Sequence, residues 1–357
     1  MMKRNLVVFC VFCLCLSLVM CTGAFADEKG ESFSNGFFTL TIPEELSALC
    51  EVEVRENGIH VYHAASKEAD CGGYAFGLDL FAEPSDYAGM PGGQKIGELT
   101  TADDVLYDIV LSYPTDVQYD FSSEKSIEDY RKIYDAAEEI AKSAIGVGGT
   151  SFVYGAGTKG ADLYSEVLQK HVQAITEQWD SGRLEQENMS FMYNLLRMGE
   201  GDALDRAGYI FCDINADGID ELLIGEIAEG EWKGIIYDIY TMVDRAPAHV
   251  VSGWDRNRYF FVKNTFVCNE YSSGAMESGW IVYDLAANST ELWPQVGFKL
   301  DGYENPDQPW FLAYGQEIND NEWENVTEDL WTERKAVFEE YERFDFSPLS
   351  TVAAPLV

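Results

Sequence analysis

Tyr209-Ile210-Phe211-Cys212-Asp213-Ile214-Asn215-Ala216-Asp217-Gly218-Ile219-Asp220-Glu221-Leu222-Leu223-Ile224 is the stretch on which the reading of this chain turns. Its two flanks are apolar, aromatic and branched, and read as strands rather than amphipathic helices. Between them, oxygen-bearing side chains recur at alternate positions, with Gly218 sixth and Glu221 ninth. Such a loop converges its oxygens on one point, the glycine permits the sharp turn, and hard oxygens suit a calcium ion, which takes about 6–8 of them. The spacing assigns Ca2+ to Asp213, Asn215 and Asp217 through single oxygens, to Ile219 through its carbonyl, and to Glu221 directly or through water. Position twelve is Ile224 where an EF-hand places a bidentate Glu, so a strand-loop-strand calcium site is expected rather than an EF-hand pair. The plainer alternative is a polar hairpin whose Asx side chains cap turns without a metal. Four carboxylates (Asp213, Asp217, Asp220 and Glu221) repel one another there unless a cation neutralises them, which favours the metal.

Working outward, residues 162–350 read as one domain, a helical hairpin followed by an antiparallel β-meander that carries the loop. Tyr164, Leu168, Ile175 and Trp179 form one helical stripe, and Met189, Met192 and Leu196 mark another. Short aromatic strands follow at Ile235-Ile236-Tyr237, Tyr259-Phe260-Phe261-Val262 and Trp280-Ile281-Val282-Tyr283. A last helix is expected after Thr327, presenting Leu330, Trp331, Val337, Phe338 and Tyr341 to the core. Six glycines within residues 146–161 suggest a linker. Before it, residues 33–145 read as an α+β domain. Cys50, Val52 and Val54 alternate with polar residues, as do Tyr74, Phe76, Leu78 and Leu80, and Ile59, Val61 and His63 more weakly. A helix capped by Ser126 then carries the stripe Ile127, Tyr130, Ile133, Tyr134, Ala137, Ile140 and Ala141 to cover the antiparallel sheet, and Gly146 closes it.

The 357 residues hold 62 Asp and Glu against 24 Lys and Arg, a formal net charge of -38. Nucleic acid and anionic membrane surfaces would be repelled, whereas a cationic surface or a metal ion would not. With 46% hydrophobic and 13% aromatic residues the chain is globular rather than a disordered acidic tail. Met1-Met2-Lys3-Arg4-Asn5, the uncharged run 6–26 and its Ala24-Phe25-Ala26 end read as a signal peptide, residues 1–26, and so predict a secreted protein. An uncleaved anchor, or a lipoprotein attached through Cys21, is the alternative. Cys50, Cys71, Cys212 and Cys268 then remain. Pairs Cys50–Cys71 and Cys212–Cys268 would each stay within one domain, and four buried free thiols are the competing reading.

The block Asp213–Gly225 resembles the calcium loop of FG-GAP and integrin-type repeats, and more closely a loop in exported proteins of gut Firmicutes. The same group carries segments similar to Tyr237-Asp238-Ile239-Tyr240, to the glycine-rich stretch ending at Trp280, and to Phe346-Ser347-Pro348-Leu349-Ser350. Phe38-Thr39-Leu40-Thr41-Ile42-Pro43-Glu44-Glu45 and Tyr113-Pro114-Thr115-Asp116-Val117 resemble another module of such proteins. The resemblance implies metal binding and export, and no reaction. A single copy of the loop argues against a propeller.

Other motifs carry less. Gly155-Ala156-Gly157-Thr158-Lys159-Gly160 matches the dinucleotide fingerprint, but two helices follow it where a βαβ unit needs a strand, so it reads as linker. His60 and His63 point to opposite faces of a strand and are expected as separate surface and core residues. His171 reads as a hydrogen-bonded packing residue, and His249 has no evident companion. The chain has neither a Gly-x-Ser-x-Gly elbow nor a His-Glu-x-x-His helix. Two functions remain. One is a non-catalytic, calcium-stabilised binding module for an extracellular glycan or protein, with Trp232, Trp254, Trp280, Trp293 and Trp310 near turns. The other is a secreted hydrolase using an Asp/Glu pair between the domains, which requires two carboxyls about 5–10 Å apart.

Overall fold

Strand-forming runs dominate the chain, and their pairing decides the architecture. A computed structural model describes residues 30–352; the expected signal segment, Cys21 included, lies outside the described residues. Two units follow one another, both built on antiparallel sheets with helices packed against them.

In the N-terminal unit six strands pair in the order Cys50–Arg55, Gly58–His63, Tyr74–Phe81, Leu106–Ser112, Gly93–Thr100 and Ser151–Tyr154. A small three-stranded sheet of Gly30–Ser34, Phe38–Pro43 and Ile145–Gly146 lies beside it. Helices Glu124–Asp135 and Ala137–Lys142 close the core, where Tyr130, Ile133, Ile140 and Ala141 meet Phe76, Leu78 and Ile109. Tyr130, Ile133, Ala137, Ile140 and Ala141 of the expected stripe are buried, whereas Tyr134 is exposed, and the helix is two pieces that meet at Ala136. Its cap is Ser123, whose Oγ accepts the Ser126 N–H at 3.2 Å. Cys50–Arg55 alternates as read, yet it is a sheet edge, so Val54 stays exposed. The glycine-rich stretch is no slack tether: Ser151–Tyr154 within it pairs with Gly93–Thr100.

The C-terminal unit is an eleven-stranded antiparallel meander. Both faces near its start are buried. Leu222, Ile224, Tyr237 and Tyr240 pack under the helices with Tyr164, Leu168, Ile175, Trp179 and Tyr193, while Leu223, Ile236 and Ile239 face a second core. That is the period-2 split of a central strand covered on both sides. The final helix, Glu328–Lys335, starts at Thr327 as expected, whose side chain accepts the Leu330 N–H. Only Trp331 of its expected stripe is fully inward; Leu330 is exposed on the same helix, and Val337 is exposed beyond the helix end at Lys335.

The four cysteines among the described residues, Cys50, Cys71, Cys212 and Cys268, are free thiols, so neither of the two candidate pairs forms. Burial pushes the Cys50, Cys212 and Cys268 thiols up to about 12, which keeps them protonated and unreactive. Among the described residues, no helix is long and apolar enough to cross a membrane.

Candidate metal centre at the joint of the two units

Strand Ala207–Cys212 pairs with strand Glu221–Glu226 in antiparallel register, Cys212 opposite Glu221, so residues 213–220 form the loop of a hairpin. Strand, loop and strand therefore fall where the sequence places them. Two left-handed residues, Ala216 at φ +60° and Gly218 at φ +89°, curl the loop inward. The Asp213 carboxylate accepts the N–H groups of Asp217 at 3.2 Å and Gly218 at 2.9 Å. Asn215 Oδ1 accepts the Asp217 N–H at 3.1 Å, and Asp217 Oδ1 accepts the Ile219 N–H at 2.8 Å. Glu221, wholly buried, accepts the Ile214 N–H at 2.9 Å and the Thr241 hydroxyl at 2.9 Å.

The four carboxylates do not share one role. Asp220 turns outward to the chain crossover: its Oδ2 accepts the Gly160 N–H at 3.0 Å, and its own N–H donates to Thr158 O at 2.9 Å. Gly160 is a glycine because a Cβ there would sit 2.3 Å from the Phe211 ring. Asp213, Asp217 and Glu221 remain turned into the loop. Burial, before any other cause, raises all three above the usual carboxylate range: Asp217 to about 7, Asp213 and Glu221 upward, with the Asp217 charge adding to the rise at Glu221. Among the described residues, no Lys or Arg forms an ion pair with any of the three, although the Lys95 charge pulls against the rise at Asp217.

The fit to a cation can be tested on a neighbouring group. The Tyr164 hydroxyl is fully buried and has no hydrogen-bond partner. Burial raises its pKa, and the charges of Glu221, Asp217 and Asp220 raise it further, so an orphaned O–H lies within the field of the loop acids. A buried donor without an acceptor is costly unless water or another species completes it. The donors of the loop are all hard oxygens, which suits calcium. The conformation is not closed on a point, however: among the described residues, no three His, Cys, Asp or Glu side chains are grouped as they would be around an ion. Their oxygens hold loop N–H groups instead, each with lone-pair capacity left.

The sequence did not reveal that this loop is docked on the other unit. Lys95 N–H donates to Asp217 O at 2.7 Å, joining strand Gly93–Thr100 to the loop. A Cβ on Gly218 would lie 2.3 Å from Lys95 O, so the close approach itself requires glycine. The Lys95 side chain is buried, with Nζ 2.9 Å from Asp108 and 2.8 Å from Glu98. Arg245 reaches across from the opposite unit to Asp108 at 3.2 Å and to Ala82 O at 2.6 Å, and the Tyr87 hydroxyl donates to Asp108 at 3.0 Å. Lys95, Asp108 and Arg245 carry no local pattern; only the scarcity of cations, 24 in all, could have drawn the eye to them.

The remaining sequence candidates resolve individually. His60 and His63 are both buried, correcting the surface assignment: His60 Nε2 meets both Asp79 oxygens at 2.9 Å, and His63 Nδ1 meets Ser66 Oγ at 2.7 Å. His171 is the hydrogen-bonded core residue expected, between the hydroxyls of Tyr193 at 2.7 Å and Tyr240 at 3.1 Å. His249 does have companions, Ser252 Oγ at 2.9 Å and Asp238 at 3.6 Å. The order is not that of a nucleophilic triad. Ser252 donates to Asp238, so its oxygen accepts from His249 Nε2–H, and that nitrogen has no free lone pair with which to take the serine proton. Gly155–Gly160 follows strand Ser151–Tyr154 in a wholly antiparallel setting, not a βαβ unit. Of the five tryptophans near turns, Trp232, Trp254 and Trp293 are exposed, while Trp280 and Trp310 pack on a core. Comparison of the chain with family models, with curated proteins and with solved structures finds no match.

Proposed function

We propose that the chain is an exported, non-catalytic binding module in which a calcium ion held by Asp213, Asn215, Asp217, the Ile219 carbonyl and Glu221 stiffens the joint between the two units. One observation carries the reading. Three loop carboxylates with raised pKa values, Asp217 and Glu221 buried and Asp213 partly so, have no ion-pair partner among the described residues, on a loop whose main chain is bonded to the neighbouring unit through Lys95. A hard cation neutralises that charge, and the same loop transmits its order across the joint. Export is supported by the pattern of residues 1–26 and by the acidity of the chain, which suits calcium-bearing surroundings. Asp217→Ala removes a central ligand. Calorimetric titration with calcium is expected to give stoichiometric binding for the wild type and none for the variant; equal affinity for both would overturn the assignment.

A hydrolase using an Asp/Glu pair draws less support. The cleft of about 500 Å³ between the units is lined by two acids, Glu98 and Asp217. Glu98 is tied to Lys95, and Asp217 holds the Ile219 N–H. Neither is free to serve as a mobile acid or base.

A further inference from the structure

Beside the metal loop the two units leave a second groove, open to solvent. Residues 89–94 of the N-terminal unit form one wall, rich in glycine and short of long side chains. Residues 215–217 of the loop also line it. The far wall is the end of strand Glu277–Leu285 with the turn that leads into strand Leu292–Asp301. There Asp284 and Trp293 are directly opposed across the antiparallel ladder, and both line the groove. Trp293 is 52% exposed, an unusual placing for the largest apolar side chain. Asp284 is partly buried, and that burial raises its pKa. Glu291 stands on the turn between them.

No Lys, Arg or His is among the residues lining this groove. Among the described residues, neither the Asp284 nor the Glu291 side chain has a hydrogen-bond or ion-pair partner, and the Trp293 indole N–H has none either. The charge sets what can enter. Anionic polymers are repelled by the groove and by the net charge of -38. A guanidinium or ammonium gains twice, from the carboxylates and from the indole face beside them. The glycines among the lining residues 89–94 leave main-chain groups open to an extended chain, which can pair with them where a lone amine cannot.

We propose that this groove binds an extended Lys/Arg-bearing segment of another protein, with Trp293 and Asp284 gripping one cationic side chain and Glu291 a second. The inference rests on the binding-module reading and gives it a ligand class. It is tested on the full chain in calcium with a fluorescein-labelled Arg/Gly peptide, followed by anisotropy. Trp293→Ala and Asp284→Asn are each expected to weaken binding about tenfold, while their melting curves stay close to wild type. Raised salt is expected to weaken wild-type binding. A Glu44→Gln/Glu45→Gln variant removes two acids outside the groove and is expected to bind within about twofold of wild type. No peptide binding, binding insensitive to Trp293→Ala and Asp284→Asn, or an equal loss in the Glu44/Glu45 variant would each overturn the proposal, the last assigning the affinity to general acidity. A neutral oligosaccharide that binds and is lost in Trp293→Ala would overturn the basic ligand while leaving the module reading intact. Cleavage of that oligosaccharide would overturn the module reading itself.

Discussion

Two clusters of buried acid meet at Lys95, and the chain treats them differently. On one side Asp108, wholly buried, receives the Lys95 ammonium, the Arg245 guanidinium and the Tyr87 hydroxyl. On the other, Asp213, Asp217 and Glu221 receive only neutral donors, chiefly loop N–H groups, and their pKa values rise. A third buried acid, Asp238, shows that neutral donors can suffice in number, since it accepts the Ser190 N–H and the Tyr193 and Ser252 hydroxyls. Among the described residues, this chain with few cations places two of them on Asp108, one near Asp220 and none in an ion pair with Asp213, Asp217 or Glu221. Where the fold pairs no cation with these three loop acids, the natural source is solvent.

The comparison breaks most visibly if the Asp108 side loses its cation. Lys95→Met leaves buried Asp108 and Glu98 short of their central partner, and is expected to lower unfolding stability by about 3–5 kcal/mol in urea denaturation. A change below about 1 kcal/mol would mean that Arg245 and Tyr87 suffice. The Asp238 side is tested by pH. Burial lowers the His171 pKa from 6.5 to about 4. Between those values the unfolded chain binds the proton that the folded chain refuses. Stability contributed by neutral His171 is therefore complete above about pH 6.5 and lost as pH falls toward 4, an effect of about 3 kcal/mol. Ring-proton NMR should show one of the four histidines titrating near pH 4, and all four titrating above 6 would contradict it. The smallest effect is steric. Gly218→Val puts a branched side chain at φ +89° and against Lys95 O, and is expected to cost about 2 kcal/mol even in chelator. A melting curve equal to wild type would show that the loop and strand Gly93–Thr100 separate freely.

Much of this was legible wherever periodicity is local. The stripe Tyr164, Leu168, Ile175 and Trp179 does enter one core, the apolar flanks of residues 213–220 are strands, and Thr327 does cap the last helix. What escaped depends on contacts far apart in sequence. Arg245 and Asp108 stand 137 residues apart, and no spacing rule connects them. Ser151–Tyr154 was hidden by surrounding glycines, although its partner strand needs it to complete the sheet. Val54 alternates correctly and is still exposed, because a pattern marks a strand and not whether it lies at an edge. The cysteines mislead for the same reason: a shared domain does not bring two thiols together.

Thermal unfolding of the chain in calcium, then in excess chelator, tests the central claim most directly. A ligand bound only by the folded state adds RT ln(1 + [L]/Kd), about 2.7 kcal/mol at a hundredfold excess over Kd. The loop acids predict a clear rise in melting temperature with calcium, abolished by chelator and absent in Asp217→Ala. An identical melting curve with and without millimolar calcium would contradict the account and leave residues 213–221 a polar hairpin closed by its own hydrogen bonds.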